Sequence, residues 1–170
     1  MNQPIESDTV YLVDDDAAVR DSISLLIETV GLNCRTYPSA EAFLAGLDAE
    51  IRGCLILDMR MEGMSGFELQ EELNQRGCML PTIFLSAHGD VPTTVRAMKA
   101  GAADFLTKPV DGALLLDRVQ SALALAHARR QAQRVRQNAR RRLESLTERE
   151  FEILKLATAG QTNKEIAREL

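Results

Sequence analysis

The chain contains no tryptophan, and five phenylalanines and two tyrosines are its only aromatic residues in 170 positions. A core must therefore be filled by aliphatic side chains and alanine. Cysteine is scarce too: Cys34, Cys54 and Cys78 are odd in number and lack the paired spacing of a zinc site. A disulfide framework is excluded, and buried reduced thiols in a cytoplasmic protein are the plain expectation. No apolar run is long enough to cross a bilayer. The N-terminus, MNQPIESD, has neither the charged nor the apolar region of a secretory signal. No membrane partner is expected.

Charge of one sign is scarce in each half of the chain. Residues 1–127 hold nine Lys and Arg against nineteen Asp and Glu, whereas residues 128–170 hold eleven against six. An acidic body followed by a basic tail indicates two modules, and basic tails often meet nucleic acid. A solvated basic helix gives the same charge pattern.

Short apolar runs alternate with helical patterns. Strands are predicted at 10–13, 32–37, 54–57, 82–85 and 105–107, and helices at 17–30, 39–47, 66–76 and 92–100, with a long one from about Asp111. Val19, Ile23, Leu26, Ile27 and Val30 mark one face of the first helix, and Phe67, Leu69 and Leu73 that of the third. Five successive βα units imply an α/β fold, a doubly wound five-stranded parallel sheet in the flavodoxin-like order 2-1-3-4-5. From Asp111 to about Leu146 the chain has no proline. Within that stretch Leu125, Ala128, Ala132, Val135 and Ala139 recur at spacings of three and four. The pattern fits a weak heptad seam or, since few of these residues are large, a solvated spacer helix.

Four of the apolar runs end in residues that handle phosphate or a divalent cation: Asp14 and Asp15 after VYLV, Asp58 after CLIL, Ser86 after TIFL, and Lys108-Pro109 after DFLT. In a parallel sheet these tips share the carboxyl edge, where ligands of open α/β sheets bind. A carboxylate can act as a nucleophile and become an acyl phosphate if a cation offsets the repulsion between two anions. Asp58 is the candidate nucleophile, Asp14 and Asp15 the holders of Mg²⁺ (or another divalent cation such as Mn²⁺). Lys108 and Ser86 would meet phosphoryl oxygens as a point charge and a hydroxyl donor. Neither His88 nor His127 is needed as a base. Taken singly, Asp14-Asp15-Asp16 reads as a helix cap and the others as ordinary loop residues; their joint placement carries the inference.

LVDDD, LILDMRMEGMSG, FLSAHGD and AGAADFLTKP together resemble the receiver domain of bacterial two-component response regulators, the FixJ/NarL type in particular. The resemblance implies phosphorylation of Asp58 by a sensor histidine kinase. It implies metal binding by Asp14, Asp15, Asp58 and the backbone carbonyl of Arg60, a switch pair of Ser86 and Phe105, and a cis Lys108-Pro109 bond. It further implies a phosphorylation-dependent homodimer formed through a face including Val95, Met98, Lys99, Phe105 and Asp111. The chain itself would be a signalling receiver, not an enzyme, catalysing only its own phosphorylation and dephosphorylation. One departure is Glu62, where the family usually has proline; a looser loop after Asp58 is expected. His88, two residues past Ser86, stands near the expected mouth of the site.

In the tail, Thr147-Glu148-Arg149-Glu150 and Thr162-Asn163-Lys164-Glu165 read as capping boxes. Apolar patterns follow at Phe151, Ile153, Leu154, Leu156 and Ala157 and at Ile166, Ala167 and Leu170, with Gly160 between. LTEREFEILKLATAGQTNKEIAREL resembles the first half of a LuxR-type helix-turn-helix domain. The expected organisation is a phosphoacceptor receiver over 8–127, a basic helical linker over 128–143, and an incomplete LuxR-type domain over 144–170 that lacks the recognition helix. Promoter DNA is the expected partner of an intact regulator, and sequence-specific DNA binding is not expected of these residues alone. Two such helices are also too few to bury a core of their own. The competing readings are a phosphorylation-switched interaction module without DNA binding and an aspartyl-phosphate hydrolase. The latter lacks a DxD motif at the candidate nucleophile Asp58 and a substrate-sized lid.

Overall fold

Apolar strand cores with no polar alternation, such as VYLV and CLIL, are what a sheet covered on both faces requires. The computed structural model describes residues 8–48 and 51–169. The chain separates into two compact units, Met1–Ala128 and Arg129–Leu170.

In the first unit, strands β1 (Thr9–Val13), β2 (Asn33–Tyr37), β3 (Gly53–Asp58), β4 (Thr82–Ser86) and β5 (Asp104–Thr107) alternate with helices α1 (Ala17–Thr29), α2 (Ala40–Ala45), α3 (Gly66–Gln75) and α4 (Val91–Lys99). All pairings are parallel, in the order β2-β1-β3-β4-β5. The central strands β3 and β4 are buried along their whole length. β2, at one edge, carries the polar sequence NCRTY and is mostly exposed, which explains its poorer strand signal.

Alternating residues of the central strands divide between two aliphatic layers. Val13, Leu55, Leu57 and Phe84 pack with Leu69 and Leu73 of α3 on one face. Val10, Leu12, Ile56 and Leu85 pack with Ile23 and Ile27 of α1 on the other. Phe67 is only half-buried, and Val30 ends exposed beyond α1. Of the thiols only Cys54 is buried, Cys34 and Cys78 being intermediate. Burial pushes the Cys34 thiol up to about 11 and that of Cys54 to about 12, so both stay protonated.

Helix α5 (Gly112–Glu144) is continuous. Its first half buries Leu115, Val119, Ala122 and Ala126. Asp111 caps it, accepting from the Leu114 N–H at 2.8 Å.

The second unit begins in α5 and continues with α6 (Glu148–Thr158) and α7 (Asn163–Glu169). Both capping boxes form. The Thr147 N–H donates to Glu150 at 2.8 Å and the Thr162 N–H to Glu165 at 2.8 Å. Gly160, between the helices, has φ of +87°, a conformation that suits glycine. Among the described residues only Ile166 is buried here; Phe151, Ile153 and Leu154 are exposed, because two short helices offer a single neighbour each. Leu170 lies outside the described residues. Among the described residues no helix is long and apolar enough to cross a membrane.

Candidate functional site

The β1 tip carries three consecutive aspartates, and the structure gives each a different task. Asp16 is the N-cap of α1, accepting from the N–H groups of Ala18 and Val19. Asp14 turns inward and is fully buried. Its Oδ1 accepts from the Asp16 N–H at 2.9 Å, and its Oδ2 from Lys108 Nζ at 2.7 Å. Asp15 is exposed and accepts from the Glu62 N–H at 3.2 Å. The helix-cap reading of the triplet therefore holds for one residue only.

Asp58 ends β3, beside Leu85 of β4, and is 6 % exposed. Its carboxylate lies 3.4 Å from Lys108 Nζ. Burial holds the Asp58 carboxyl above its ordinary value, and Asp14 adds to this; Lys108 and the Arg60 backbone N–H pull the other way without cancelling it. The Lys108 ammonium is lowered by burial, but Asp14 and Asp58 outweigh that and hold it above the usual lysine range. Lys108 is thus a permanent cation shared unequally, closer to Asp14 than to Asp58. It reaches them from the end of β5, where the Lys108–Pro109 peptide is cis.

Carboxylate oxygens of Asp14, Asp15 and Asp58 lie within 4.8 Å of one another. The set is all oxygen, which suits Mg²⁺ or Mn²⁺ rather than a thiolate- or imidazole-preferring metal. A carboxylate offers about four lone-pair sites, so Asp14 can keep both its bonds and still face a cation. The residues present fit a hard divalent ion.

Ser86 ends β4 and is buried, its Oγ donating to the His88 carbonyl at 2.8 Å and accepting from the His88 N–H at 3.1 Å. Phe105 is half-buried against the layer that contains Phe84. His88 itself is exposed. A cleft of about 420 Å³ opens here, lined among others by Arg60, Ser86, His88, Asp90 and Arg96. Val95, Met98 and Lys99 are exposed on α4, and Asp111, the α5 cap, is exposed as well.

The loop after Asp58 is tied down at two points that the sequence did not disclose. Asp15 takes the Glu62 N–H, a donor that proline at this position could not supply. Glu41, in the first turn of α2, accepts from the Met64 N–H at 3.0 Å. Two glycines allow this approach: Gly63 adopts φ of +79°, and a Cβ there would sit 2.9 Å from Glu41 Oε1. At Gly66 a Cβ would collide with the Asp58 carbonyl oxygen. Ser65 and Glu68 then close a capping box that starts α3. Glu41→Ala is expected to speed amide exchange at Met64 by about tenfold through loss of that bond. Glu41→Gln, which keeps an acceptor, should stay near wild type. Equal exchange rates in all three proteins would remove Glu41 from the site's support.

Residues 10–120 match the family described as response regulator receiver domain, and residues 144–170 match bacterial regulatory proteins, luxR family. The transcriptional regulatory protein TdiR of Thauera aromatica is 46% identical over 163 residues, covering 94% of this chain and 70% of that protein. The transcriptional regulatory protein FixJ of Azorhizobium caulinodans is 43% identical over 166 residues, covering 97% of this chain and 78% of its own length. Among solved structures, the response regulator StyR superposes with a TM-score of 0.87 at 45% identity, over 96% of this chain and 82% of that one. Full-length FixJ from B. japonicum gives 0.68 at 38% identity, over 95% and 80%.

Proposed function

Because this chain belongs to the response regulators that join a receiver domain to a luxR-type helix-turn-helix segment, we propose that Asp58 is its phosphoacceptor. The protein is a phosphorylation-controlled transcription regulator. It acts as a signalling protein, and the luxR-family match over 144–170 disfavours an interaction module without DNA binding. In this reading residues 8–127 receive the phosphoryl group, 128–143 link, and 144–170 belong to the output.

One observation carries the site assignment: Asp14, Asp15, Asp58 and Lys108, from three strand tips, meet within a few ångströms. Asp58 Oδ attacks the phosphorus of a phosphohistidine on a sensor kinase, or of a small acyl phosphate from the cleft side. The bond to the donor's nitrogen or oxygen breaks, and an acyl phosphate forms on Asp58. Asp14, Asp15, Asp58 and the carbonyl of Arg60 would hold Mg²⁺, which when bound supplies positive charge at the phosphoryl oxygens. Lys108 is already charged and needs little reorganisation to meet the incoming anion, which is how preorganised cations lower such barriers. The same residues, with water as the acceptor, return the site to its starting state.

The new charge competes for Lys108, which Asp14 holds at 2.7 Å. It also attracts the Ser86 hydroxyl, which must leave the His88 carbonyl to donate to it. Phe105 then moves into the space beside Ser86, and α4 presents Val95 and Met98 to a second copy. Incubation of the chain with acetyl phosphate and Mg²⁺ is expected to incorporate one base-labile phosphate and shift sedimentation from monomer toward dimer. Absence of both changes would defeat the proposal. Steady hydrolysis of an external phosphoester would favour a hydrolase instead.

A further inference from the structure

The strongest unexplained feature lies in the part of α5 that belongs to the second unit. Between Asp117 and Glu144 the chain has no acidic residue, yet Arg129, Arg130, Arg134, Arg136, Arg140, Arg141 and Arg142 fall there. Arg129, Arg134, Arg136 and Arg141 are exposed and have no carboxylate partner among the described residues. Arg140 pairs with Glu144 at 2.7 Å.

At 3.6 residues per turn, Arg129, Arg136 and Arg140 form one row along the helix and Arg130, Arg134 and Arg141 a second. Together the rows span about 160° of its circumference and about 18 Å of its length. Gln133 and Gln137 lie between the rows, and both are exposed. Arg130–Arg134 and Arg136–Arg140 are like-charge pairs four residues apart, which weaken an isolated helix. A helix selected only as a solvated spacer interleaves acids with bases to avoid this. The pattern calls for a polyanion.

We infer that this arginine face binds the phosphate backbone of duplex DNA without regard to sequence. The inference rests on the chain's reading as a DNA-facing regulator, since the same unit carries the luxR-type segment 144–170. All six cations of the two rows are arginine, whose planar fork matches phosphate oxygens in pairs. An anionic membrane fits less well. The opposite side of the helix presents Ala128, Ala132, Val135 and Ala139, too little apolar bulk to enter an acyl layer. Phosphate contacts of this kind position a protein on the duplex and leave sequence readout to the helix-turn-helix.

The test uses the full chain and a random-sequence duplex, with binding followed by fluorescence anisotropy between about 50 and 200 mM salt, the range in which phosphate contacts dominate. Each phosphate contact adds about 0.9 to the slope of log affinity against log salt. The variant carrying Arg129→Gln, Arg134→Gln, Arg136→Gln and Arg141→Gln should lose about three to four units of slope on that scale. The corresponding four lysine substitutions should keep it. Circular dichroism verifies that the helix persists. If the fourfold glutamine variant unfolds, Arg129→Gln with Arg136→Gln carries the test, with an expected loss of about two units. Equal slopes in wild type and glutamine variant would overturn the inference, as would binding to phosphatidylserine vesicles without binding to the duplex. Phosphate labelling of the wild type is measured in parallel. Its failure counts against the phosphoacceptor assignment alone, because the salt slope is read without phosphorylation.

Discussion

Phosphate incorporation from acetyl phosphate falls to background in Asp58→Asn, while the protein becomes more stable. The first effect follows from chemistry: an amide cannot form an acyl phosphate, and the other two carboxylates of the cluster are engaged elsewhere. Asp14 is fully buried beneath Lys108, and Asp15 is held by the Glu62 N–H. The second effect follows from electrostatics. Burial and Asp14 raise the Asp58 carboxyl above its unfolded value. A carboxyl raised in this way favours the fold while protonated, and that contribution is lost as pH rises from the ordinary aspartate value through the raised one. At neutral pH the ionised group therefore opposes folding, and asparagine relieves it. The melting temperature of the metal-free variant at pH 7 should therefore exceed that of wild type. The gap should close below about pH 4, where the wild-type group is itself protonated. Retained labelling in a folded Asp58→Asn protein would move the nucleophile elsewhere.

Lys108→Met should do the opposite to stability. It strips the cation from Asp14, a carboxylate with no exposure at all, and from Asp58 at 3.4 Å. Removing one partner of a buried pair costs about 3 kcal/mol, because the remaining charge stays desolvated. That corresponds to a loss of about 6–12 °C in melting temperature. Millimolar Mg²⁺ should return part of this loss, and return more in the variant than in wild type, since the metal then provides the only positive charge in the cluster. Labelling by acetyl phosphate should slow by about a hundredfold, the range observed when a preorganised electrostatic partner is removed. Thermal melts with and without Mg²⁺, together with initial labelling rates, check both expectations. A variant as stable as wild type without metal would show that Asp14 does not depend on Lys108.

Much of this arrangement was legible in the amino-acid order because strand tips are announced by abrupt changes of chemistry. VYLV gives way to aspartates, CLIL to Asp58 and DFLT to Lys108, and a parallel topology sends all three to one edge. The sharing of Lys108 was not legible. Its preference for Asp14 over Asp58 depends on which aspartate turns inward, and consecutive carboxylates carry no mark of that. Glu41 gave no signal either. An acid in the first turn of a helix reads as a partner for the helix dipole, and its reach to Met64 spans 23 residues of sequence.

Other differences have equally local causes. Asp111 closes the start of α5 and stays exposed while doing so. The apolar pattern of α6 was a sound indication of a helix, but a pattern shows only which side is apolar, not whether anything covers it. Glu62 was expected to loosen the loop in place of proline. The N–H it contributes gives Asp15 a bond that proline would have denied.

The most direct test of the phosphoacceptor site is reductive trapping. The chain is phosphorylated with acetyl phosphate and Mg²⁺, treated with borohydride, which reduces an acyl phosphate to the alcohol, and mapped by peptide mass spectrometry. Homoserine at position 58, and at no other aspartate, is the expected result. Reduction at Asp14 or Asp15, or a phosphate that survives borohydride on another residue, would contradict it.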